Sequence, residues 1–142
     1  MAAEAEEDAD VDFIPLEDYP IDSNVGYYPG CVDYLDQEMV FSHVNEGEMN
    51  LGDATTSAFT IFDEIGVDVS YLGRDFLKCC GHDQKWQGLT EVFDKLKAYN
   101  QKKIQQSGID TLVSSCAECF RTFARDYELE DIKVMHLSLI HI

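Results

Sequence analysis

The stretch Gly108-Ile109-Asp110-Thr111-Leu112-Val113-Ser114-Ser115-Cys116-Ala117-Glu118-Cys119 predicts a strand, a polar turn and the opening of a helix in close succession. Ile109 to Val113, β-branched or apolar at every position but Asp110, starts directly after a glycine, the pattern of a short strand. Ser114-Ser115 breaks the run. From Cys116 onward, Cys119, Phe120, Phe123 and Tyr127 recur at helical spacing. Two thiols are thereby set just beyond the carboxyl end of a strand.

The same grammar recurs upstream. Val25-Gly26-Tyr27-Tyr28 predicts a first strand, stopped by Pro29-Gly30, with Cys31 immediately after. Asp53 is an acceptable N-cap for a helix in which Ala54, Ala58, Ile61, Phe62 and Ile65 form the apolar side, and Gly66 ends it. Val67 to Leu72 predicts a second strand, and a loop from Gly73 to Gly88 then carries Cys79-Cys80-Gly81. A helix from Leu89 to about Gln106 places Val92, Leu96, Tyr99 or Asn100, and Lys103 or Ile104 along one side, with Gly108 as its stop. Ile132 to Leu137 predicts a fourth strand. Strands alternating with helices at these separations imply an α/β fold, a Rossmann-like layered domain with a mostly parallel sheet. In such a sheet the carboxyl ends share one edge, so the cysteines should be gathered there.

Composition bounds the setting. The chain has 142 residues and a formal charge of -18, enough length for one core. Nine acids and no Lys or Arg fall in the first 22 residues, so residues 1–23 are expected to form a disordered acidic tail. The domain proper is expected over residues 24–136. Beyond the tail, 19 acids still face 10 bases, a balance that repels a phosphate backbone and argues against a nucleic-acid partner. No apolar run reaches the roughly 18 residues of a bilayer span, and the N-terminus lacks a signal-peptide pattern. A cytoplasmic location follows, with at most peripheral membrane association through a partner.

In a reducing compartment clustered cysteines read as ligands or redox groups rather than disulfides. Five are present: Cys31, Cys79, Cys80, Cys116 and Cys119. Adjacent residues in extended chain point opposite ways, so Cys79 and Cys80 do not both fill one core. Cys116-x-x-Cys119 alone is shared by redox pairs and zinc sites. A closed zinc site takes four ligands and leaves one thiol over, whereas a multi-iron cluster can use five; thiolates suit both metals.

The chain resembles the cysteine-rich CCG domain of heterodisulfide reductase-like proteins and of the iron–sulfur subunits that oxidise glycerol 3-phosphate, glycolate or lactate. The resemblance rests on YYPGC at 27–31, CCGHD at 79–83 and SSCAECFRTF at 115–124, supported by Asn100, Tyr127 and the Val134-Met135-His136 run. Thirty-five residues separate Cys80 from Cys116, as in the family; 47 separate Cys31 from Cys79, which is longer, and residues 32–52 are expected to be an insertion. The resemblance implies a noncubane [4Fe-4S] cluster held by all five cysteines, with zinc as the alternative cofactor. It also implies an electron-transfer role in an oxidoreductase, partnered by ferredoxin-like or flavoprotein subunits, with a disulfide as substrate.

Other residues carry weaker signals. His82 is a candidate proton donor to a released thiolate; Trp86 either walls the substrate side or packs; Glu118 should face solvent. Pro29-Gly30 and Gly81 permit tight turns that bring amide N–H groups toward sulfur. His43 receives no role. A zinc-stabilised interaction module and a metal-free thiol–disulfide oxidoreductase working through Cys116 and Cys119 are the competing functions. The chain lacks a flavin fingerprint and a C-x-x-C-x-x-C-x-x-x-C-P run. Family members often carry two such modules. Residues 137–142, Leu-Ser-Leu-Ile-His-Ile, look like translated adapter sequence and are expected to be non-native, with the natural protein continuing.

Overall fold

The computed structural model describes residues 23–33, 52–73 and 75–140. The acidic tail before Ser23, nearly all of the expected insertion and the last two residues lie outside these ranges. Within them, β1 (Val25–Tyr28), α1 (Gly52–Glu64), β2 (Ser70–Tyr71), α2 (His82–Trp86), α3 (Thr90–Gln106), β3 (Thr111–Ser114), α4 (Ala117–Arg125) and β4 (Lys133–His136) follow in order. Short 3₁₀ turns occupy Cys31–Asp33 and Leu137–Leu139.

The strands form one sheet in the order β2-β1-β3-β4, and every pairing is parallel. Val25 lies opposite Thr111 and Tyr28 opposite Ser114; Thr111 in turn lies opposite Lys133. The α/β layered architecture expected from the strand and helix pattern is therefore the one observed.

Strand alternation splits the core in two. Tyr28 and Leu112 face a cluster with Leu72, Leu77, Phe93, Ile104, Phe123 and Tyr127, beneath α3 and α4. Tyr27 and Val113, their chain neighbours, face the opposite cluster with Ala58, Phe59, Phe62 and Val69, beneath α1. Crossover handedness accounts for the assignment. The β1-to-β2 connection runs one way along the sheet, whereas β2-to-β3 and β3-to-β4 run the other. Crossovers of one hand must then put α1 on one face and α3 and α4 on the other. With both faces covered, the two central strands bury apolar side chains on either side: Tyr27 and Tyr28 of β1 and Leu112 and Val113 of β3 are all 0% exposed.

Several local expectations shift. The second strand pairs only through Ser70–Tyr71, two residues of the expected six. The loop from Gly73 to Gly88 contains the unexpected short helix α2, which starts at Gly81 in the left-handed region. On α1 the buried side is Thr55, Ala58, Phe59 and Phe62, while Ile61 and Ile65 are 45% and 40% exposed. Tyr27 decides this: Phe59 and Phe62 meet its ring edge-on at 5.5 and 5.3 Å, and two aromatic contacts outweigh an aliphatic stripe. On α3 the buried line is Phe93, Asn100 and Ile104, with Val92 and Tyr99 turned outward.

Candidate metal centre

All five cysteines lie at the carboxyl edge of the sheet. Cys31 opens the 3₁₀ turn after β1, Cys79 and Cys80 sit in the loop after β2, and Cys116 and Cys119 follow β3 as the N-cap and first turn of α4. The connections from β1 and β3 leave in opposite directions, so the crevice between these neighbours is where an open parallel sheet places ligands. Gly30 lines it. At φ 88° it turns the chain left-handed, and a β-carbon there would lie 3.0 Å from Cys116 Cβ and 3.4 Å from Cys119 Sγ. The turn permissiveness expected of Gly30 is thus also a clearance for the thiols opposite.

The thiols are joined pair by pair. Cys119 touches Cys31, Cys80 and Cys116, and Cys79 touches Cys31 and Cys80. All five are free thiols, with Cys80 and Cys119 buried and the other three half-buried.

Their proton affinities divide accordingly. Hydrogen bonding from the Cys31 and Cys80 thiols draws Cys79 down to about 2, helped by the Gly81 N–H and the His82 charge. The Cys119 thiol draws Cys116 to about 6, and the first-turn N–H groups of Cys119 and Glu118 add to this at the helix N-terminus. For Cys31, the pull of Cys119 is outweighed by Cys79, burial and neighbouring charge, leaving it at about 11. Cys80 likewise ends at about 12, Cys119 lowering it and Cys79 with burial raising it further. Cys119 has one S–H set among the sulfurs of Cys116, Cys31 and Cys80, and these neighbours together with burial push it up. Cys79 and Cys116 are thus the two thiols whose surroundings favour the thiolate, and Cys31, Cys80 and Cys119 the three whose surroundings favour the proton.

The backbone takes part as well. Gly81 N–H donates to Cys79 Sγ at 3.5 Å, and the turn into α4 is held by Cys116 N–H donating to Ser114 Oγ at 3.3 Å. Gly81 has φ 85° and its missing β-carbon would strike the Phe93 ring at 2.7 Å, so its role includes close packing on α3.

His82 stands at the start of α2, directly after Cys80-Gly81. Its Nδ1 meets Thr122 Oγ1 at 3.2 Å, its Nε2 lies 3.8 Å from Glu118 Oε1, and its ring tilts over Trp86 at 5.9 Å. Trp86 is 67% exposed and the Arg121 guanidinium sits 5.3 Å over its ring, so it forms an outer wall rather than core. Glu118 faces solvent. Thr122, fully buried on α4, escapes a reading of the sequence for motifs; its signal is the spacing of three from Cys119, which puts it on the same helix face.

The family model of the CCG cysteine-rich domain matches residues 25–124, which include all five thiols. The chain belongs to that family. Among curated proteins it is similar to an uncharacterized iron–sulfur protein of Methanococcus maripaludis, 28% identical over 115 residues. That match covers 80% of this chain, while the chain spans 20% of the relative's length. No solved structure matches it.

Proposed function

We propose that this chain holds an iron–sulfur cluster on Cys31, Cys79, Cys80, Cys116 and Cys119 and serves as an electron-transfer module of an oxidoreductase, of the heterodisulfide reductase kind. One observation carries the proposal: five thiols from three strand-end loops converge, linked pair by pair, at the switch point of a parallel sheet. The donor set fits a thiophilic centre. It is all sulfur, two members already favour the thiolate, and amide N–H groups face the sulfurs. The naming of the methanogen relative as an iron–sulfur protein supports the same reading. A noncubane [4Fe-4S] cluster matches five ligands better than zinc, which closes with four.

When bound, such a cluster supplies one-electron transfer. This chain's residues would orient and protonate the substrate. Cleaving a disulfide to two thiols consumes two electrons and two protons. His82, anchored through Nδ1 by Thr122, would present Nε2 as the proton source beside exposed Glu118. Electrons would arrive from a ferredoxin-like or flavoprotein partner, or from further domains of a longer chain, as the relative's greater length allows. No helix among the described residues is long and apolar enough to cross a membrane. The five free thiols suit a reducing compartment such as the cytoplasm.

The test is anaerobic purification with iron, acid-labile sulfide and zinc analysis, repeated for each Cys→Ser variant. Brown protein with iron and sulfide, and an altered paramagnetic spectrum in every variant, is expected. Colourless protein with one zinc would replace the reading with a structural zinc module. Metal-free disulfide exchange that survives Cys31→Ser would replace it with a thiol oxidoreductase acting through Cys116 and Cys119.

A further inference from the structure

Asn100 and Tyr127 are buried between α3 and α4 and hold the backbone on which Cys79 and Cys80 sit. Asn100 is 0% exposed. Its Oδ1 accepts from Lys78 N–H at 2.8 Å, and the two N–H groups of its Nδ2 are shared among three acceptors, Lys78 O at 3.1 Å, Cys79 O at 3.0 Å and Tyr127 Oη at 3.1 Å. Tyr127 O–H in turn donates to Cys80 O at 3.0 Å. Tyr28 O–H adds a bond to Lys78 O at 3.1 Å. Three consecutive carbonyls are thus captured from the core side. A buried asparagine amide in mid-helix is costly unless fully bonded, and here its bonds go to the cysteine-bearing segment.

The consequence follows from peptide geometry. In a trans peptide the C=O and N–H point in opposite directions. The Cys80–Gly81 unit has its C=O on Tyr127, and its N–H, at Gly81, points to Cys79 Sγ at 3.5 Å. One peptide dipole therefore spans from a buried tyrosine to the Cys79 sulfur, positive end toward sulfur.

We propose that Asn100 and Tyr127 are positioning residues for the metal centre: by holding the Cys79 and Cys80 carbonyls inward, they keep the Gly81 N–H on the Cys79 sulfur and so set the centre's affinity and electronic character. This rests on the reading of the five thiols as a metal centre. Without the lock the Cys80–Gly81 peptide is free to turn its oxygen toward sulfur, where it repels the negative charge that the N–H stabilises. Removal of outer partners of this kind costs about 10- to 100-fold in metal affinity.

Tyr127→Phe isolates the effect, because the ring can keep its contacts with Phe123 at 4.8 Å and Phe93 at 6.3 Å while the hydroxyl is lost. Asn100→Ala removes the bonds to Lys78 and Cys79 and the support of the Tyr127 hydroxyl, leaving only the Tyr127 bond to Cys80 O and the Tyr28 bond to Lys78 O. Ile104→Val, fully buried in the same core but making no hydrogen bond through its side chain, is the control for destabilisation. The full chain, reduced and metal-free, is titrated anaerobically with Co(II), following the sulfur-to-cobalt charge-transfer band, and in parallel reconstituted with iron and sulfide for paramagnetic spectroscopy and potentiometry. Tyr127→Phe should bind Co(II) about tenfold more weakly, shift the charge-transfer band and, in the iron-loaded protein, lower the reduction potential. Ile104→Val should lower the melting temperature and leave band and potential unchanged. Wild-type band, affinity and potential in Tyr127→Phe would overturn the proposal, whatever Asn100→Ala does. A wild type that takes up Co(II) as thiolate but never assembles iron and sulfide would sink the iron–sulfur reading, while the lock is still judged on cobalt. A wild type that binds neither would overturn both.

Discussion

Replacing Gly81 by alanine tests the packing beneath the Cys79–Cys80 turn. Two penalties are expected. Gly81 sits at φ 85°, where an L-residue with a β-carbon loses roughly 1–2 kcal/mol. The new β-carbon would also lie 2.7 Å from Phe93 Cδ2 and 3.3 Å from Cε2, and Phe93 is a buried ring flanked by Tyr127. Forcing a methyl into such packing adds about 1–3 kcal/mol. Alanine restricts the unfolded chain and returns about 0.4–1 kcal/mol. The net expectation for Gly81→Ala is a loss of about 2–4 kcal/mol. Gly66 supplies the internal reference: its φ is 69° and nothing lies within 4 Å of its absent β-carbon. Gly66→Ala should therefore cost only the backbone part, about 1 kcal/mol. Urea unfolding of the reduced, metal-free chains under anaerobic conditions gives both values, and their difference isolates the contact with Phe93. Equal losses in the two variants would show that the ring yields freely and that the tight Gly81 contact is not a constraint on the cysteine loop.

Further outcomes can be checked alongside. In the metal-free protein, iodoacetamide labelling of Cys116 should be half-maximal near pH 6, because the thiolate fraction rises as pH climbs through its lowered pKa; an onset near the ordinary value of 9.0 would refute the assigned environment. Cys31 and Cys80, raised to about 11 and 12, must lose protons when a metal binds, so Co(II) affinity should rise with pH through the neutral range; a pH-independent affinity would contradict this. The Asp126 carboxylate, nearly buried, joins Lys85 of α2 to Arg121 of α4, so Asp126→Ala should cost about 2 kcal/mol in the same unfolding assay. Glu128→Ala, which breaks only an exposed pair with Lys97, should cost less than about 1 kcal/mol. A similar loss in both would remove the claim that Asp126 fastens α2 to α4.

The two-residue and four-residue periodicities and the glycine stops at Gly66 and Gly108 are local properties, set by side chains a few positions apart, and they carried the order of strands and helices. The placement of a cysteine after each of three strands was equally legible, because parallel connection puts all strand ends on one edge. Which helix face is buried was not. Ile61 on α1 and Ile65 just after it are as apolar as Phe59, and the rings of Tyr27, more than thirty residues earlier, and Tyr71, on the neighbouring strand, select the aromatic side. The same is true of α3, where the ring of Phe93 fits under Gly81 and turns Val92 outward. Helix α2 was illegible because His82–Trp86 is too short for a periodic signal and depends on the left-handed turn at Gly81. Convergence of the five thiols could thus be read along the chain, since topology follows from local pattern. The capture of the Cys79–Cys80 backbone by Asn100 and Tyr127, 21 to 47 residues from their carbonyl partners, emerges only in three dimensions, because a hydrogen bond between distant segments leaves no periodic trace in either one.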